Sequence, residues 1–337
     1  MRFFVTGSTG FIGYHLVNSL IEQGHDVNAL CRSEQKAAAL PPAVKVFYGG
    51  IADRDILSGG MENCDFVFHL AAFAKVWAKD SGIYYDINVR GTNNVLDAAI
   101  EKGIKRVVVV STAGVYGASF DGLVTEDFIR KKDFFNEYEG SKALSESFIK
   151  DYVLEGLDVV IVSPTRVYGN YFFGEPASVS LLIKRYCEGK WRLMPGPADK
   201  IGNYVFVGDV VEGMKLAMLK GKAGRTYILG GENHSYRSFF NVLSDVTGIK
   251  RSLFSVPVII GTAFAYIQLM AAVWFGREPL VTPKWIAKAR YHWKVSSERA
   301  VKELGYSITP LDEGIIKTLA GSDWKAPLNE STKNNRK

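Results

Sequence analysis

Phe3-Phe4-Val5-Thr6-Gly7-Ser8-Thr9-Gly10-Phe11-Ile12-Gly13 is the stretch from which the fold is read. Phe3, Phe4 and Val5 form a short apolar run that stops at a glycine-spaced turn. Ile12, Leu16, Val17, Leu20 and Ile21 then recur at helical spacing. The pattern is strand, turn, helix, with Gly7, Gly10 and Gly13 three residues apart. A side chain at Gly7 or Gly10 would hold the backbone away from a phosphate, and one at Gly13 would hold the helix away from the strand. The first N–H groups of the helix are left to face an anion. A glycine triplet also suits ordinary turns and close helix contacts. Its place directly after a strand is what predicts a dinucleotide site here, with Thr9, Phe11 and Ile12 beside the glycines.

The bulk properties narrow the class. With 337 residues, 47% of them hydrophobic, the chain has enough apolar surface for one or two large cores. The net charge is +6 and the isoelectric point about 9.0. The basic residues are scattered rather than gathered into a stripe with interleaved aromatics, which argues against nucleic-acid binding. Anionic substrates or an anionic membrane surface suit the mild excess better. Cys31, Cys64 and Cys187 have no metal-ligand spacing and suit a reducing compartment, and the five histidines are dispersed, so no metal site is expected. The first strand begins at residue 2 or 3 and leaves no room for a signal peptide, which points to the cytoplasm.

Further along, Val27 to Leu30 reads as a second strand ending at Cys31-Arg32-Ser33, about twenty residues beyond the glycine loop. An acidic residue there would accept the ribose hydroxyls of NAD. Arg32 instead suits the 2′-phosphate of NADP, against the plainer reading of a solvated strand-end charge. NADP(H) is therefore preferred and NAD(H) kept open. Val44 to Tyr48 and Phe66 to Leu70 are the next strands, and Asp53 reads as a helix cap. Leu70-Ala71-Ala72 would let backbone run close to a cofactor, and His69 reads as a core residue. Asn88 to Ala99 is helical with Val89, Val95 and Leu96 inside. Val107 to Val110 and Val159 to Val162 are fully apolar strands, as in a parallel sheet covered on both faces. The alternation gives a doubly wound α/β sheet of the Rossmann type. Past Pro164 the rhythm is lost. A dinucleotide domain is expected over 1–169 with 205–232, a smaller and mostly helical substrate lobe over 170–204 with 233–324, and a polar, disordered tail over 325–337.

Ser111 to Gly117 follows the fifth strand, and Tyr138-Glu139-Gly140-Ser141-Lys142 lies on a predicted helix. Spacing i, i+4 puts Tyr138 and Lys142 on one face. A phenol titrates near 10 and is a poor acid–base catalyst at neutral pH. A neighbouring ammonium stabilises phenolate and brings that value toward the working range. A Tyr–Lys pair four apart is common on helices by chance, so the pair gains meaning only from what accompanies it.

In combination the chain resembles the extended short-chain dehydrogenase/reductases, the NAD-dependent epimerase/dehydratase group. The matching pieces are Thr6 to Gly13, His69 to Ala72, Asn88 to Thr92, Ser111 to Gly117, Tyr138 to Lys142 and Pro164 to Gly169. The resemblance implies that Tyr138 is the acid–base, that Lys142 positions the nicotinamide ribose and lowers the tyrosine pKa, and that Thr112 holds the substrate oxygen. Asn88 would support the proton relay. It also implies cofactor contacts at Gly7, Thr9, Gly10, Phe11, Ile12, Gly13, Leu70, Ala71, Ala72 and Pro164, a sheet of about seven strands, and a homodimer.

Members acting on nucleotide sugars usually read Pro-Tyr at the catalytic tyrosine, where Glu137 stands here, and carry an arginine near position 202, where Gly202 stands. Arg32 and the apolar second lobe look more like dihydroflavonol-4-reductase and 3β-hydroxysteroid dehydrogenase members. The expected reaction is NADP(H)-dependent reduction of a ketone, or oxidation of the secondary alcohol, on a small apolar substrate. A nucleotide-sugar epimerase/dehydratase with tightly held cofactor and a non-catalytic cofactor sensor are the alternatives. Phe73, Trp77, Tyr171, Phe172 and Phe173 are candidate pocket walls.

Ser252 to Gly276 carries no charged residue between Arg251 and Arg277. Its length allows a membrane span, but Pro257, Gly261 and Gln268 weaken that reading. A buried helix roofing the substrate pocket is the expected arrangement. The alternative is a helix with one face on a membrane, helped by Lys284, Lys288, Arg290 and Lys294.

Overall fold

The computed structural model describes residues 1–171, 177–194, 196–276 and 278–321. The first half of the chain alternates: β1 (Arg2–Thr6), α1 (Phe11–Glu22), β2 (Asp26–Cys31), α2 (Glu34–Ala37), β3 (Lys45–Tyr48), α3 (Arg54–Met61) and β4 (Phe66–His69). Then come α4 (Gly82–Tyr85), a π-helical turn (Asp86–Arg90), α5 (Gly91–Glu101), β5 (Arg106–Val110), a 3-10 turn (Ala113–Tyr116), α6 (Glu137–Leu154) and β6 (Val159–Pro164). Beyond these lie β7 (Arg166–Tyr168), α7 (Ser178–Cys187), β8 (Leu193–Met194), β9 (Ile201–Phe206), α8 (Val207–Lys220) and β10 (Thr226–Leu229). The last third holds β11 (Glu232–Ser235), α9 (Tyr236–Thr247), β12 (Phe254–Ser255), α10 (Val258–Phe275), α11 (Pro283–Lys288), α12 (Glu298–Leu304) and α13 (Leu311–Ala320).

Seven strands form one parallel sheet in the order β10-β6-β5-β4-β1-β2-β3. Side chains alternate between its faces, and both faces are covered. Phe4, Val67, Val107 and Ile161 point to one core with Leu57, Leu96 and Ile149 of α3, α5 and α6. Phe3, Val5, Phe68 and Val108 point to the other, with Leu16 and Leu20 of α1 and Val210 and Met214 of α8. That two-sided burial is why these strands are apolar throughout.

β7, β9 and β11 form a separate three-stranded sheet, and β8 pairs with β12. The second lobe closes over Tyr168, Ile183, Phe239, Leu243, Leu311 and Ile315. The expected helix from Asn88 differs at its start: Asp86–Arg90 is a π turn, and regular α-helix begins at Gly91. The polar tail from Lys325, together with Phe172 and Phe173, lies outside the described residues.

The buried roof is overturned. α10 is one uninterrupted helix, but only Ala265 and Ala272 are buried along it. Those two small residues, seven apart, share one stripe of the helix. Gly261 approaches Ile286 of α11 on the same side of the helix axis. The opposite side is open: Ile259 is 84% exposed, Trp274 73% and Phe275 72%.

Candidate active site

The glycine turn packs on the protein itself before it meets any ligand. Gly7 has φ +68°, a left-handed conformation that favours glycine, and a Cβ there would lie 2.7 Å from the Ala71 nitrogen and the Leu70 carbonyl carbon. A Cβ at Gly13 would lie 2.1 Å from the Gly7 oxygen, so α1 presses on the turn rather than on the body of the strand. Gly10 caps α1 with extended backbone and no side-chain cap. A turn with glycine at both ends, its Ser8 hydroxyl turned to the Leu30 carbonyl, beside an uncapped helix N-terminus is a fitting seat for a pyrophosphate, and the site's residues therefore suit a dinucleotide. Arg32 stands exposed at the end of β2, beyond the turn. Pro164 is the buried last residue of β6.

A directional hydrogen-bond chain fixes the floor of the site. Ala71 N–H donates to Thr6 Oγ1 at 3.1 Å, and Thr6 Oγ1 lies 2.8 Å from His69 Nδ1. On the far side His69 Nε2 lies 3.0 Å from Thr92 Oγ1, which donates to the Asn88 carbonyl at 2.7 Å. Thr92 spends its one proton on Asn88, so it accepts from Nε2–H, and in the ring that burial keeps neutral Nδ1 accepts from Thr6. His69 is thus neutral and fully satisfied. Burial lowers its pKa to about 3, and the Lys142 charge acts the same way. The core reading of His69 holds: its ring is fully buried.

Asn88 lies in the π turn, a distortion often found at functional sites. Its Oδ1 accepts from Phe73 N at 2.7 Å, and its Nδ2 donates to Phe73 O at 3.1 Å and to Ser141 Oγ at 2.9 Å. Ser141 Oγ in turn donates to the Tyr138 carbonyl at 3.0 Å. Asn88 therefore joins the loop after β4 to the turn of α6 that carries Tyr138 and Lys142.

Tyr138 and Lys142 stand one turn apart on α6, and Lys142 is buried. Burial pushes the Tyr138 phenol up to about 12, and the Glu139 carboxylate adds to the rise. The expected lowering of this phenol by Lys142 is not seen, because lost hydration of phenolate and a neighbouring negative charge act against it. Burial lowers Lys142 to about 8, opposed by the charge of Glu146. Ser111 Oγ donates to the Glu146 carboxylate, which burial raises in pKa. Across the site Thr112 Oγ1 accepts from Gly114 N–H at 3.1 Å, which leaves its own proton to donate to an incoming oxygen.

Two charges had no role in the sequence reading. Glu139, 1% exposed, binds Arg130 at 2.9 Å and Lys288 at 2.7 Å. Arg130 also donates to the Gly114 carbonyl at 2.7 Å and the Val115 carbonyl at 3.1 Å, so it ties the Thr112 turn to α6. Lys288 belongs to α11, so the second lobe is latched to the residue after Tyr138. Its expected place on a membrane face is overturned, since its ammonium turns inward to Glu139. Asn136-x-x-Glu139 is a capping-box spacing and was the available signal. Asn136 does cap α6, at 2.8 Å from Glu139 N.

Of the proposed walls, Phe73 packs edge-on against Tyr84, with centroids 4.8 Å apart. Trp77 is half-buried in the loop after β4, and Tyr171 lies under Lys184. An open cleft of 770 Å³ runs between residues 130–135 and α11, lined by Arg130, Lys131, Lys132 and Lys284. Asp133, Phe134, Phe135 and Tyr291 complete its wall, and Thr112, Tyr138 and Lys142 do not line it, so it is not the reaction site. Among the described residues no cluster of metal-ligating side chains occurs.

Residues 3–230 match the family described as NAD dependent epimerase/dehydratase. A protein of Synechocystis sp. provisionally named dihydroflavonol 4-reductase is 32% identical over 310 residues, covering 90% of this chain and 89% of that one. The 4-hydroxy-2-methyl-3-oxo-4-farnesyl-3,4-dihydroquinoline-1-oxide ketoreductase of Stigmatella aurantiaca is 32% identical, covering 91% and 92%. The UDP-glucose 4-epimerase of Thermotoga maritima, solved with UDP-glucose, superposes with a TM-score of 0.79 over 95% of this chain and 98% of that one, at 24% identity.

Proposed function

Because the chain belongs to the NAD dependent epimerase/dehydratase family, we propose that it is an NADP(H)-dependent reductase of a ketone, or dehydrogenase of the matching alcohol, on a largely apolar substrate. The nicotinamide, when bound, supplies or takes up the hydride. Gly7 to Gly13, Leu70 to Ala72, Pro164 and Lys142 would hold that cofactor, with Arg32 toward its 2′-phosphate. Thr112 donates its free proton to the substrate oxygen, a contact that strengthens as charge gathers there. Tyr138 delivers the proton that completes the alcohol. Lys142, cationic below about pH 8, stabilises the phenolate left behind, and Asn88 holds the turn that carries both.

The observation that supports an apolar substrate is the latch from Glu139 to Lys288, which joins the site to α11 and through it to the open apolar helix α10. We place α10 flat on a membrane surface. Both of its flanks are tied to the same body: Arg251 donates to the Tyr186 carbonyl at 2.7 Å, and Lys284 pairs with Glu137 at 3.0 Å. A spanning helix would carry its ends to opposite sides of the bilayer, so an interfacial position fits these ties. Lys132, in the cleft beside α11, meets the Tyr291 hydroxyl and ring rather than a carboxylate and suits an anionic headgroup. Such a helix would bring the site to where apolar ketones are dissolved.

The test follows NADPH absorbance with purified protein against hydrophobic ketones and nucleotide sugars. Consumption with ketones alone is expected. Conversion of a nucleotide sugar with no net NADPH change overturns the reading in favour of an epimerase.

A further inference from the structure

Arg166 stands on β7, two residues beyond Pro164 and past the carboxyl end of β6, the end of the central sheet where ligands of such folds bind. In the β7–β9 pairing it stands opposite Tyr204. Its guanidinium lies over the rings of Tyr204 and Tyr236, 5.7 and 5.5 Å from their centroids, and donates to the Tyr236 hydroxyl at 3.2 Å. Those partners occupy its faces and meet it with neutral hydroxyls only. Among the described residues no carboxylate pairs with it, whereas Arg130 and Lys288 share Glu139. Arg166 is close enough for its charge to oppose that of Lys288. Arg130 and Lys288 thus share the one carboxylate, and Arg166 has none of its own among the described residues.

An arginine set into protein without a counter-charge is costly unless an anion completes it. Gly202 gives this point a location. A Cβ there would lie 2.5 Å from Arg166 Nη1, so the guanidinium rests directly on that glycine. The arginine missing at position 202 is replaced, in space, by one from the neighbouring strand.

We infer that Arg166, resting on Gly202 between Tyr204 and Tyr236 and supported by Lys288, forms an anion subsite that takes a carboxylate on the apolar substrate. This deepens the ketone-reductase reading and rests on it. The substrate class becomes an amphipathic oxo acid, with its chain in the apolar region and its carboxylate on the planar guanidinium fork. The same anionic chemistry is offered by the diphosphate of a nucleotide sugar.

The test measures binding by calorimetry with NADP⁺ present, using 3-oxodecanoate, its methyl ester and UDP-glucose as probes. The acid is expected to bind at least about tenfold more tightly than the ester, as a charge-assisted contact provides. Arg166→Met should reduce that ratio to near one, and Arg166→Lys should keep part of it. Equal binding of acid and ester by the unmutated protein overturns the subsite, a result that does not depend on either variant folding. UDP-glucose binding more tightly than the acid overturns the carboxylate assignment. If the acid is preferred yet no ketone consumes NADPH, the subsite stands and the reductase reading fails.

Discussion

His69 Nε2 sits 3.0 Å from Thr92 Oγ1 while its Nδ1 sits 2.8 Å from Thr6 Oγ1, so one neutral imidazole joins β1, β4 and α5 beneath the cofactor loop. Its folded-state pKa is depressed to about 3 by burial, whereas an unfolded histidine titrates near 6.5. Between those values the unfolded chain binds a proton that the folded chain refuses. Stability contributed by neutral His69 is therefore present above about pH 6.5 and lost as pH falls toward 3, at up to about 1.4 kcal/mol per pH unit. Urea unfolding of His69→Gln should be flatter across this window than that of the unmutated protein. The two curves running parallel would refute the assignment.

Tyr138→Phe keeps the ring and removes the proton donor. Turnover should fall by at least about 10²-fold while NADPH still binds, as fluorescence titration will read. Thr112→Ala should mainly lower kcat, because the Thr112 contact strengthens in the transition state. Lys142→Met should lower turnover and weaken cofactor binding together. Full reductase activity in Tyr138→Phe would disprove the mechanism whatever the fold.

Arg32, exposed at the end of β2, is the residue proposed to meet a 2′-phosphate. A charge-assisted contact of about 1.5–3 kcal/mol implies about a 10- to 150-fold preference for NADP(H) in kcat/KM. Arg32→Asp should reverse the preference, since a carboxylate repels phosphate and accepts ribose hydroxyls. Equal kcat/KM for NADH and NADPH in the unmutated protein contradicts the assignment.

What the sequence made legible is what local pattern determines. Val107 to Val110 and Val159 to Val162 read as buried parallel strands because both faces of each are covered, and the glycine spacing placed α1. The π turn at Asn88 escaped notice because its extra residue is accommodated by distant partners, Phe73 and Ser141. Lys288 was legible only as a positive charge near an apolar run. Its inward turn depends on Glu139, 149 residues earlier. The phenol pKa was misjudged for a related reason: an ammonium at i+4 is visible in a sequence, while the burial that opposes it is not.

The last prediction concerns α10, which carries no charged residue yet is buried only at Ala265 and Ala272. Ile267 and Trp274 lie seven residues apart, on one side of the helix, 65% and 73% exposed. Removing one such side chain from lipid forfeits about 1.5–3 kcal/mol. Ile267→Glu with Trp274→Glu should therefore weaken co-sedimentation with phosphatidylserine-containing vesicles by at least about 10²-fold, leaving the unfolding midpoint nearly unchanged. Ala265→Asp should do the reverse, because it places a carboxylate against α11 and lowers the midpoint. Raising salt should weaken vesicle binding only in part, since it screens charges such as Lys132 and leaves the apolar contact. Unmutated protein that stays in the supernatant with anionic vesicles would remove the membrane from this reading.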